Sequence, residues 1–265
     1  MKIHQLLLLL LLGGSLQPAA QSTAYSHASA LVGTWKYTTD SLEEIKIISP
    51  THVFFYTRNT KGDTLAHTGA GTYTTNGNKY VEYMQYGNFE TKGLKAEYNY
   101  EVGEDQFRQY GVLTLGDGTS YDINETYTRV KADQEYNGAH VGTWNQLSSS
   151  FTTEDGTKGS HTNATHIRYQ IITPTHWMRI SMANGQFENA FGGIYTMEGD
   201  KISSTVDFGS MPGIKGTTVE ITQRIDGNKM YWSGKGKSAN GSGTFQFNDV
   251  FERVAAPAGN RTAAQ

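Results

Sequence analysis

A carboxylate set among tyrosines is the first feature of this sequence that could do chemistry. In the run Tyr80-Val81-Glu82-Tyr83-Met84-Gln85-Tyr86, Glu82 stands in one alternating set with Tyr80, Met84 and Tyr86, which are aromatic or apolar. Alternate residues of a β-strand share one face, so Tyr80, Glu82, Met84 and Tyr86 are expected to point into one interior. A carboxylate in an apolar pocket has a raised pKa and can move a proton near neutral pH, or it can bind a polar group of a ligand. Glu82 is therefore a candidate for catalysis and for ligand binding.

A histidine provides the second candidate base. His52 follows Ser49-Pro50-Thr51, and His176 follows Thr173-Pro174-Thr175 in the same way. Either imidazole could face a pocket, and His52 is the alternative to Glu82 as a proton-transfer group. The other reading is turn chemistry, in which the imidazole or the threonine hydroxyl satisfies nearby backbone groups.

These two histidines belong to a repeat that runs through the whole chain. Val32-Gly33-Thr34-Trp35 returns as Val141-Gly142-Thr143-Trp144, and the Pro-Thr-His phrases follow each copy in the same order. Near the ends, Asn124-Glu125 is answered by Asn248-Asp249, and Arg129-Val130 by Arg253-Val254. Each copy has about 100 residues, enough to form its own core, so the sequence predicts two similar domains.

Comparison of the copies separates what the fold requires from what is specific to one domain. Ser204 stands where the first copy has Glu82, so the fold does not require that charge. The first copy is rich in tyrosine, whereas Met178, Ile180 and Met182 predict a drier interior in the second copy. Phe54, Tyr56 and Arg58 are expected to point into the interior of the first copy. The predicted ligand-binding residues are His52, Tyr56, Arg58, Tyr80, Glu82, Tyr86, Tyr98, Tyr100, Gln109, His176 and Trp232.

The secondary-structure pattern is almost entirely period two, with turn signals about every ten residues. In the first copy it predicts eight strands, near 33–38, 43–48, 52–58, 69–75, 79–86, 94–102, 106–113 and 120–129. Eight sequential strands close most naturally into an antiparallel up-and-down barrel, which leaves no exposed edge. The predicted fold is all-β, with two tandem barrels of about eight strands each.

The opening Gly-x-Trp of each copy, with the arginine in its last strand, resembles the lipocalin-type barrel signature. The Pro-Thr-His and Gly-x-Tyr phrases resemble more closely the small lipocalin-like domains of secreted bacterial proteins. The resemblance implies that each tryptophan plugs the closed end of a barrel and that the arginine packs across it. Arg129 is further expected to pair with Glu125. The residues assigned to this structural role are Trp35, Arg129, Glu125, Trp144, Arg253 and Asp249.

The chain divides into a leader, two domains, a linker and a tail. Residues 1–21 contain the apolar run Leu6 to Leu12 and a small-residue site at Ala19-Ala20, and predict a cleaved secretory signal peptide. A periplasmic or secreted location follows. The predicted barrels occupy 30–130 and 141–254, with a linker at 131–140 and a disordered tail at 255–265. The insertion from Ser148 to Ala164 is expected to be a long hairpin loop over one mouth.

Composition excludes several classes of protein. The chain has no cysteine, so disulfides and thiolate chemistry are absent. A formal charge of −3 with both signs interspersed offers no basic surface for nucleic acid, and no stable membrane insertion is expected. No metal or cofactor is expected either, since the histidine spacing fits no zinc pattern.

Two functions from different classes remain open at this point. In the first, a barrel binds a small hydrophobic or amphipathic molecule. In the second, the first barrel is a cofactor-free lyase or isomerase that uses Glu82 or His52, with a tyrosine steadying the oxyanion.

Overall fold

The computed structural model describes residues 30–61, 64–91, 94–131, 136, 138–163, 166–239, 241 and 243–255. The predicted signal peptide at 1–21 lies outside the described residues, as do most of the predicted tail and half of the linker. Within the described ranges no helix is long and apolar enough to cross a membrane.

The first copy of the repeat forms a closed antiparallel barrel, called barrel 1, in which each strand pairs with its neighbour along the chain and the last pairs with the first. The predicted eight strands are confirmed, with ends shifted by a few residues. They are β1 (Gly33–Thr38), β2 (Leu42–Ile48), β3 (His52–Asn59), β4 (Thr64–Asn76), β5 (Lys79–Gly87), β6 (Lys95–Val102), β7 (Gln106–Thr114) and β8 (Ser120–Arg129).

The second copy closes into barrel 2 in the same way, with one added strand. β9 pairs with β17 along its length, and on its other side it pairs first with β11 and then with β10. The strands are β9 (Gly142–Thr153), β10 (Lys158–Thr162), β11 (His166–Ile172), β12 (His176–Ala183), β13 (Gln186–Glu198), β14 (Lys201–Gly209), β15 (Thr218–Asp226), β16 (Lys229–Lys237) and β17 (Thr244–Arg253).

The predicted long loop from Ser148 to Ala164 is wrong. The second half of β9 and the whole of β10 form a hairpin there, joined by a short turn. Its serines and threonines are polar but also compatible with a strand, and β17 supplies the pairing that the isolated sequence did not reveal.

One end of each barrel is closed by the repeated tryptophan. Trp35 and Trp144 are fully buried, and their indole Nε1 atoms donate 2.8 Å hydrogen bonds to the carbonyls of Leu31 and His140. The Arg129 guanidinium lies 4.0 Å from the centre of the Trp35 ring, and that of Arg253 lies 4.1 Å from Trp144.

The arginines are fixed by backbone carbonyls rather than by the expected carboxylate. Arg129 donates to the carbonyls of Val32 and Ala30 at 3.0 and 2.6 Å. The expected pair of Arg129 with Glu125 is wrong, because four residues of extended strand span about 13 Å. Glu125 instead accepts a hydrogen bond from Gln109.

The two barrels are packed on each other through an apolar face. Phe54 and Tyr56 of β3 join Met178 and Ile180 of β12 in one buried cluster, and the Tyr56 ring stacks on Phe208 with centroids 3.6 Å apart. At one edge the Thr34 hydroxyl lies 2.8 Å from the Thr173 hydroxyl, and Ser49 lies 2.8 Å from Thr143. The repeated Ser/Thr positions therefore form a matched polar seam beside the apolar contact.

This contact overturns the predicted direction of several side chains. Phe54, Tyr56 and Arg58 point out of barrel 1, whereas Val53 packs in its interior cluster. β3 is apolar on both faces, since barrel 2 covers its outer face, so alternation could not tell the interior from the interface. Met178 and Ile180 are interface residues for the same reason.

The stacking across this interface generates a prediction for stability. Replacing Tyr56 with alanine removes a buried ring that contacts both barrels, and should lower the free energy of unfolding by roughly 2–4 kcal/mol. Urea unfolding followed by circular dichroism would measure the loss. Tyr121→Ala is the matched control because Tyr121 is 51% exposed, and it should unfold as the wild type does. Equal effects of the two substitutions would contradict the assigned interface.

The closed end generates a second prediction. Arg129→Met removes the guanidinium from the Trp35 ring and should destabilise the protein by about 1–3 kcal/mol while shifting tryptophan fluorescence. Arg129→Lys should rescue little, since lysine lacks the planar group that stacks and spans two carbonyls. Arg108→Met, which removes an exposed guanidinium 4.7 Å from the Tyr110 ring, is the control and should have a small effect. Full stability of Arg129→Met would contradict this role.

Candidate functional site

A buried lysine lies in the middle of barrel 1. Trp35 and Lys46 are cross-strand partners, so Lys46 faces inward directly above the closed end. Its Nζ donates hydrogen bonds of 3.0 Å to Glu82 Oε1 and 3.0 Å to Gln109 Oε1, and lies 3.8 Å from Glu44 Oε1. The Lys46 and Glu82 side chains are 3% and 5% exposed, so the charges are paired with little help from water.

A tyrosine hydroxyl links the next groups toward the open end. Tyr127 Oη lies 2.8 Å from Glu44 Oε1 and 2.8 Å from Glu125 Oε2, and Gln109 Nε2 donates to Glu125 at 2.6 Å. One hydroxyl has one proton, so two such short contacts require a proton on one of the two carboxyl groups.

Glu44 is the group that holds this proton most readily. Burial raises its pKa to about 7, and the nearby Glu125 and Glu82 charges add to the rise while Lys46 opposes it. The Lys46 pKa is raised too: burial acts to lower it, but Glu82, Glu44 and Glu125 outweigh that effect. We call these residues the Lys46 layer: Glu44, Lys46, Glu82, Gln109, Glu125 and Tyr127. With one cation and three carboxyl groups, the layer is negative even when Glu44 is protonated.

The end of barrel 1 beyond this layer is apolar and partly open. Tyr37, Phe55 and Ile123 are half-buried and pack against the interior cluster. Glu44 reaches this opening, since its side chain is 13% exposed, and Glu125 is also half-buried. The arrangement is a mouth with aromatic and aliphatic walls and carboxyl groups at its base.

The structure brings only part of the predicted ligand-binding set to this interior. Tyr80, Glu82, Tyr98 and Tyr100 are buried within barrel 1, and Gln109 lies beside them. Trp232 is buried in barrel 2, where its indole donates to Gln223 at 3.0 Å.

The remaining predicted residues lie between or outside the barrels. A β-bulge in the β4–β5 pairing turns Tyr86 outward, where its ring lies 5.2 Å from Tyr169. Arg58 contacts Glu43 at 2.5 Å and borders a groove of about 500 Å³ between the barrels that includes Asp207. The expectation that Tyr86 and Arg58 face the first interior is therefore wrong.

Both histidines are held at the interface by their own turns. His52 Nδ1 lies 2.7 Å from the Thr51 hydroxyl, and His176 Nδ1 lies 2.9 Å from that of Thr175. Burial lowers the pKa of each imidazole to about 4, so both are neutral at pH 7. This geometry matches the turn reading rather than the pocket reading.

Lys46 and Glu44 were not among the predicted site residues, although their neighbours Glu82 and Gln109 were. Lys46 stands in the run Leu42-Glu43-Glu44-Ile45-Lys46-Ile47-Ile48, and a lysine between isoleucines in a strand would have been the signal. Its position opposite Trp35 makes it inward, which a pairing of β1 with β2 would have predicted.

The second interior is not dry, contrary to prediction. Gln170 and Arg179 are cross-strand partners in barrel 2, and Arg179 Nη2 donates to Asp249 Oδ2 at 3.0 Å. Among the described residues, no three histidine or acidic side chains are grouped so as to hold a metal ion.

Comparisons with known proteins give no sequence match and only weak structural matches. No family model and no curated protein matches the chain. A DUF3598-family protein of unknown function from Nostoc punctiforme aligns over 87% of this chain and 99% of its own, at 10% identity and a TM-score of 0.26. Transferrin-binding protein B from Haemophilus parasuis aligns over 82% of this chain and 66% of its own, at 6% identity and a TM-score of 0.29. Transferrin-binding protein B from Neisseria meningitidis aligns over 81% of this chain and 66% of its own, at 10% identity and a TM-score of 0.29. At these values none carries a function over to this chain.

The raised pKa of Glu44 gives a prediction for pH dependence. The unfolded carboxyl group has an ordinary pKa near 4.5 and the folded one a pKa of about 7, so folding favours the protonated form. The stability associated with that proton is fully present below the unfolded pKa and is lost as the pH rises through about 7. Glu44→Gln mimics the protonated group, so its stability relative to wild type should increase between about pH 5 and pH 8.

Urea unfolding of both proteins at several pH values would measure this difference, in which the other titrating groups cancel. Glu97→Gln on the outer face of barrel 1 is the control and should show no such trend. A constant difference between wild type and Glu44→Gln would contradict the assignment.

Proposed function

We propose that this tandem-barrel protein binds a small amphipathic molecule in the mouth of barrel 1, and that the ligand carries a cationic, hydrogen-bond-donating head such as an ammonium group. The excess of carboxyl groups at the base of an apolar mouth is the observation that supports it. The predicted signal peptide supports a location in the periplasm or outside the cell.

The head group is inferred from the charges that the layer leaves uncompensated. Lys46 lies closest to Glu82, at 3.0 Å, and is 3.8 Å from Glu44, while the Tyr127 hydroxyl and the Gln109 amide are the hydrogen-bond partners of Glu44 and Glu125. An ammonium group beside Glu44 and Glu125 would replace the shared proton and would bring the layer with ionised Glu44 from a net charge of −2 to −1. Charge-assisted hydrogen bonds of this kind are about twice as strong as neutral ones.

The body of the ligand is inferred from the walls of the mouth. Phe55, Leu113 and Ile123 are only half-buried, so an alkyl or aromatic group placed among them removes apolar surface from water. Each buried methylene contributes about 0.8 kcal/mol. The mouth therefore selects a molecule with one charged end and one apolar end.

Proton-transfer catalysis has less support from the geometry. Glu82 is hydrogen-bonded to Lys46 beneath the other carboxyl groups, and His52 lies between the barrels. Neither is placed beside the apolar mouth where a substrate would enter. We therefore propose binding and no reaction.

The test compares octylamine with octanol by isothermal titration calorimetry, since the two share a chain and differ in the head. Octylamine should bind at least about tenfold more tightly, a difference of about 1.4 kcal/mol. Because the amine stays protonated while Glu44 ionises, its affinity should increase between about pH 6 and pH 8, with release of a proton.

Glu125→Gln should weaken octylamine binding at least about tenfold and leave octanol unaffected. Glu97→Gln is the matched control, since Glu97 lies in the same barrel with a side chain 65% exposed. Equal affinity for the two probes, or octylamine binding that survives Glu125→Gln, would contradict the proposal.

A further inference from the structure

Barrel 2 contains a polar layer at the same height as the Lys46 layer, but its charges differ. Trp144 is the cross-strand partner of Gln170 as Trp35 is of Lys46, so Gln170 occupies the lysine position. By the repeat, Arg168 stands where barrel 1 has Glu44, and Arg179 stands where it has Phe55. The second copy has thus lost the central lysine and gained two arginines.

The groups of this layer are connected across five strands, β9, β10, β11, β12 and β17. Arg179 Nη2 donates to Gln170 Oε1 at 2.9 Å as well as to Asp249. Arg168 Nη1 lies 2.8 Å from His161 Nδ1 and 2.7 Å from His161 Nε2, and Nε2 also lies 3.0 Å from Gln146 Oε1. Burial together with Arg168 lowers the His161 pKa to about 4, so the imidazole is neutral at pH 7.

Several buried atoms in and beside this layer lack a partner among the described residues. Three are donors, namely Gln146 Nε2, Gln170 Nε2 and Arg168 Nε, and two are acceptors, namely Asp249 Oδ1 and Asn189 Oδ1. Gln146, Gln170 and Asp249 are only 1%, 0% and 3% exposed. An unsatisfied buried polar atom costs about 1–3 kcal/mol, so these five atoms call for a partner from outside the chain.

The charges of the layer and its unpartnered atoms define the chemistry of that partner. Arg168 and Arg179 outnumber Asp249, so the layer takes a negative head, which the free donors can bind. The free acceptors require a donor close to that head. Glu188 lies at the rim, 33% exposed, with Oε2 3.6 Å from Arg168 Nη2 and Oε1 4.0 Å from His166. It competes for Arg168 from the solvent side.

The mouth above the layer is apolar, as in barrel 1. Phe191 and Phe247 are partly buried against the interior cluster, and Phe151 is 43% exposed. The floor below is closed by aromatic rings, with Trp177 and Trp232 6.4 Å apart and a residual void of about 10 Å³. A ligand head can therefore reach the polar layer but not pass it.

We infer that barrel 2 is a second binding site, which takes a small amphipathic carboxylate with a hydroxyl group beside the acid. The carboxylate accepts from Arg168, Gln146 and Gln170, the hydroxyl donates toward Asp249, and the apolar chain lies against Phe191 and Phe247. The two copies then bind ligands of opposite charge. This site is independent of the one proposed for barrel 1.

The test uses four probes of similar length in calorimetric titrations of the full chain: 2-hydroxyoctanoate, octanoate, 1,2-octanediol and octylamine. The expected order at barrel 2 is 2-hydroxyoctanoate, then octanoate, then the diol, with the hydroxy acid at least about tenfold tighter than the diol. Arg168→Met and Gln170→Met should each weaken binding of the hydroxy acid at least about tenfold. Glu188→Gln should strengthen it, because a competing carboxylate is removed.

Arg108→Met is the matched control, because it makes the same substitution at an arginine of barrel 1 whose side chain is 42% exposed; it should leave acid binding unchanged. Urea unfolding of each variant separates a lost site from a damaged fold: Gln170→Met should lose binding while remaining folded at the temperature of the titration. If the hydroxy acid binds no better than the diol, or binds equally well to folded Arg168→Met, the inference is overturned. If octylamine fails to bind while the hydroxy acid binds as expected, only the proposal for barrel 1 is contradicted.

Discussion

The pairing of Lys46 with Glu82 is the interaction around which barrel 1 is organised. A buried ammonium group costs several kcal/mol unless its charge is matched and its donors are used, and Lys46 meets that requirement with groups from opposite walls. The partners come from β2, β5, β7 and β8, so the pairing is possible only when the sheet has closed. The same closure brings Glu44 and Glu125 within 2.8 Å of one hydroxyl and buries Glu44, and that burial is the main cause of the raised Glu44 pKa.

The duplication separates the requirements of the fold from the chemistry of each interior. Both copies keep the tryptophan at the closed end and the arginine across it, with nearly identical distances of 4.0 and 4.1 Å. Both keep the Thr-His turn and the Ser/Thr seam at the interface. The layer one step above the tryptophan differs at nearly every position. The shared groups therefore account for the architecture, and we propose that the layer determines what each barrel can bind.

The sequence predicted the strands and the repeat well, because alternation, turn residues and the duplicated phrases are local signals. The turn at Asn76-Gly77 is an example, since Gly77 has the positive φ of 58° that such a turn needs. The direction of β3 was not predictable in this way, because Phe54 and Tyr56 are as apolar as the interior residues that flank them. Only the contact with barrel 2 explains their apolarity. Glu82 was correctly placed inside, but its partner Lys46 is 36 residues away in sequence and required the strand order.

We propose that the charges of the two interior layers decide which ligand each barrel holds. The most direct measurement is a pair of crystal structures, one with 8-bromooctylamine and one with 8-bromo-2-hydroxyoctanoate, in which anomalous scattering locates the bromine. We expect the amine in the mouth of barrel 1, with its nitrogen beside Glu44 and Glu125. We expect the acid in barrel 2, with its carboxylate beside Arg168 and Gln170. Both ligands in one barrel, or both in the groove between the barrels, would contradict it.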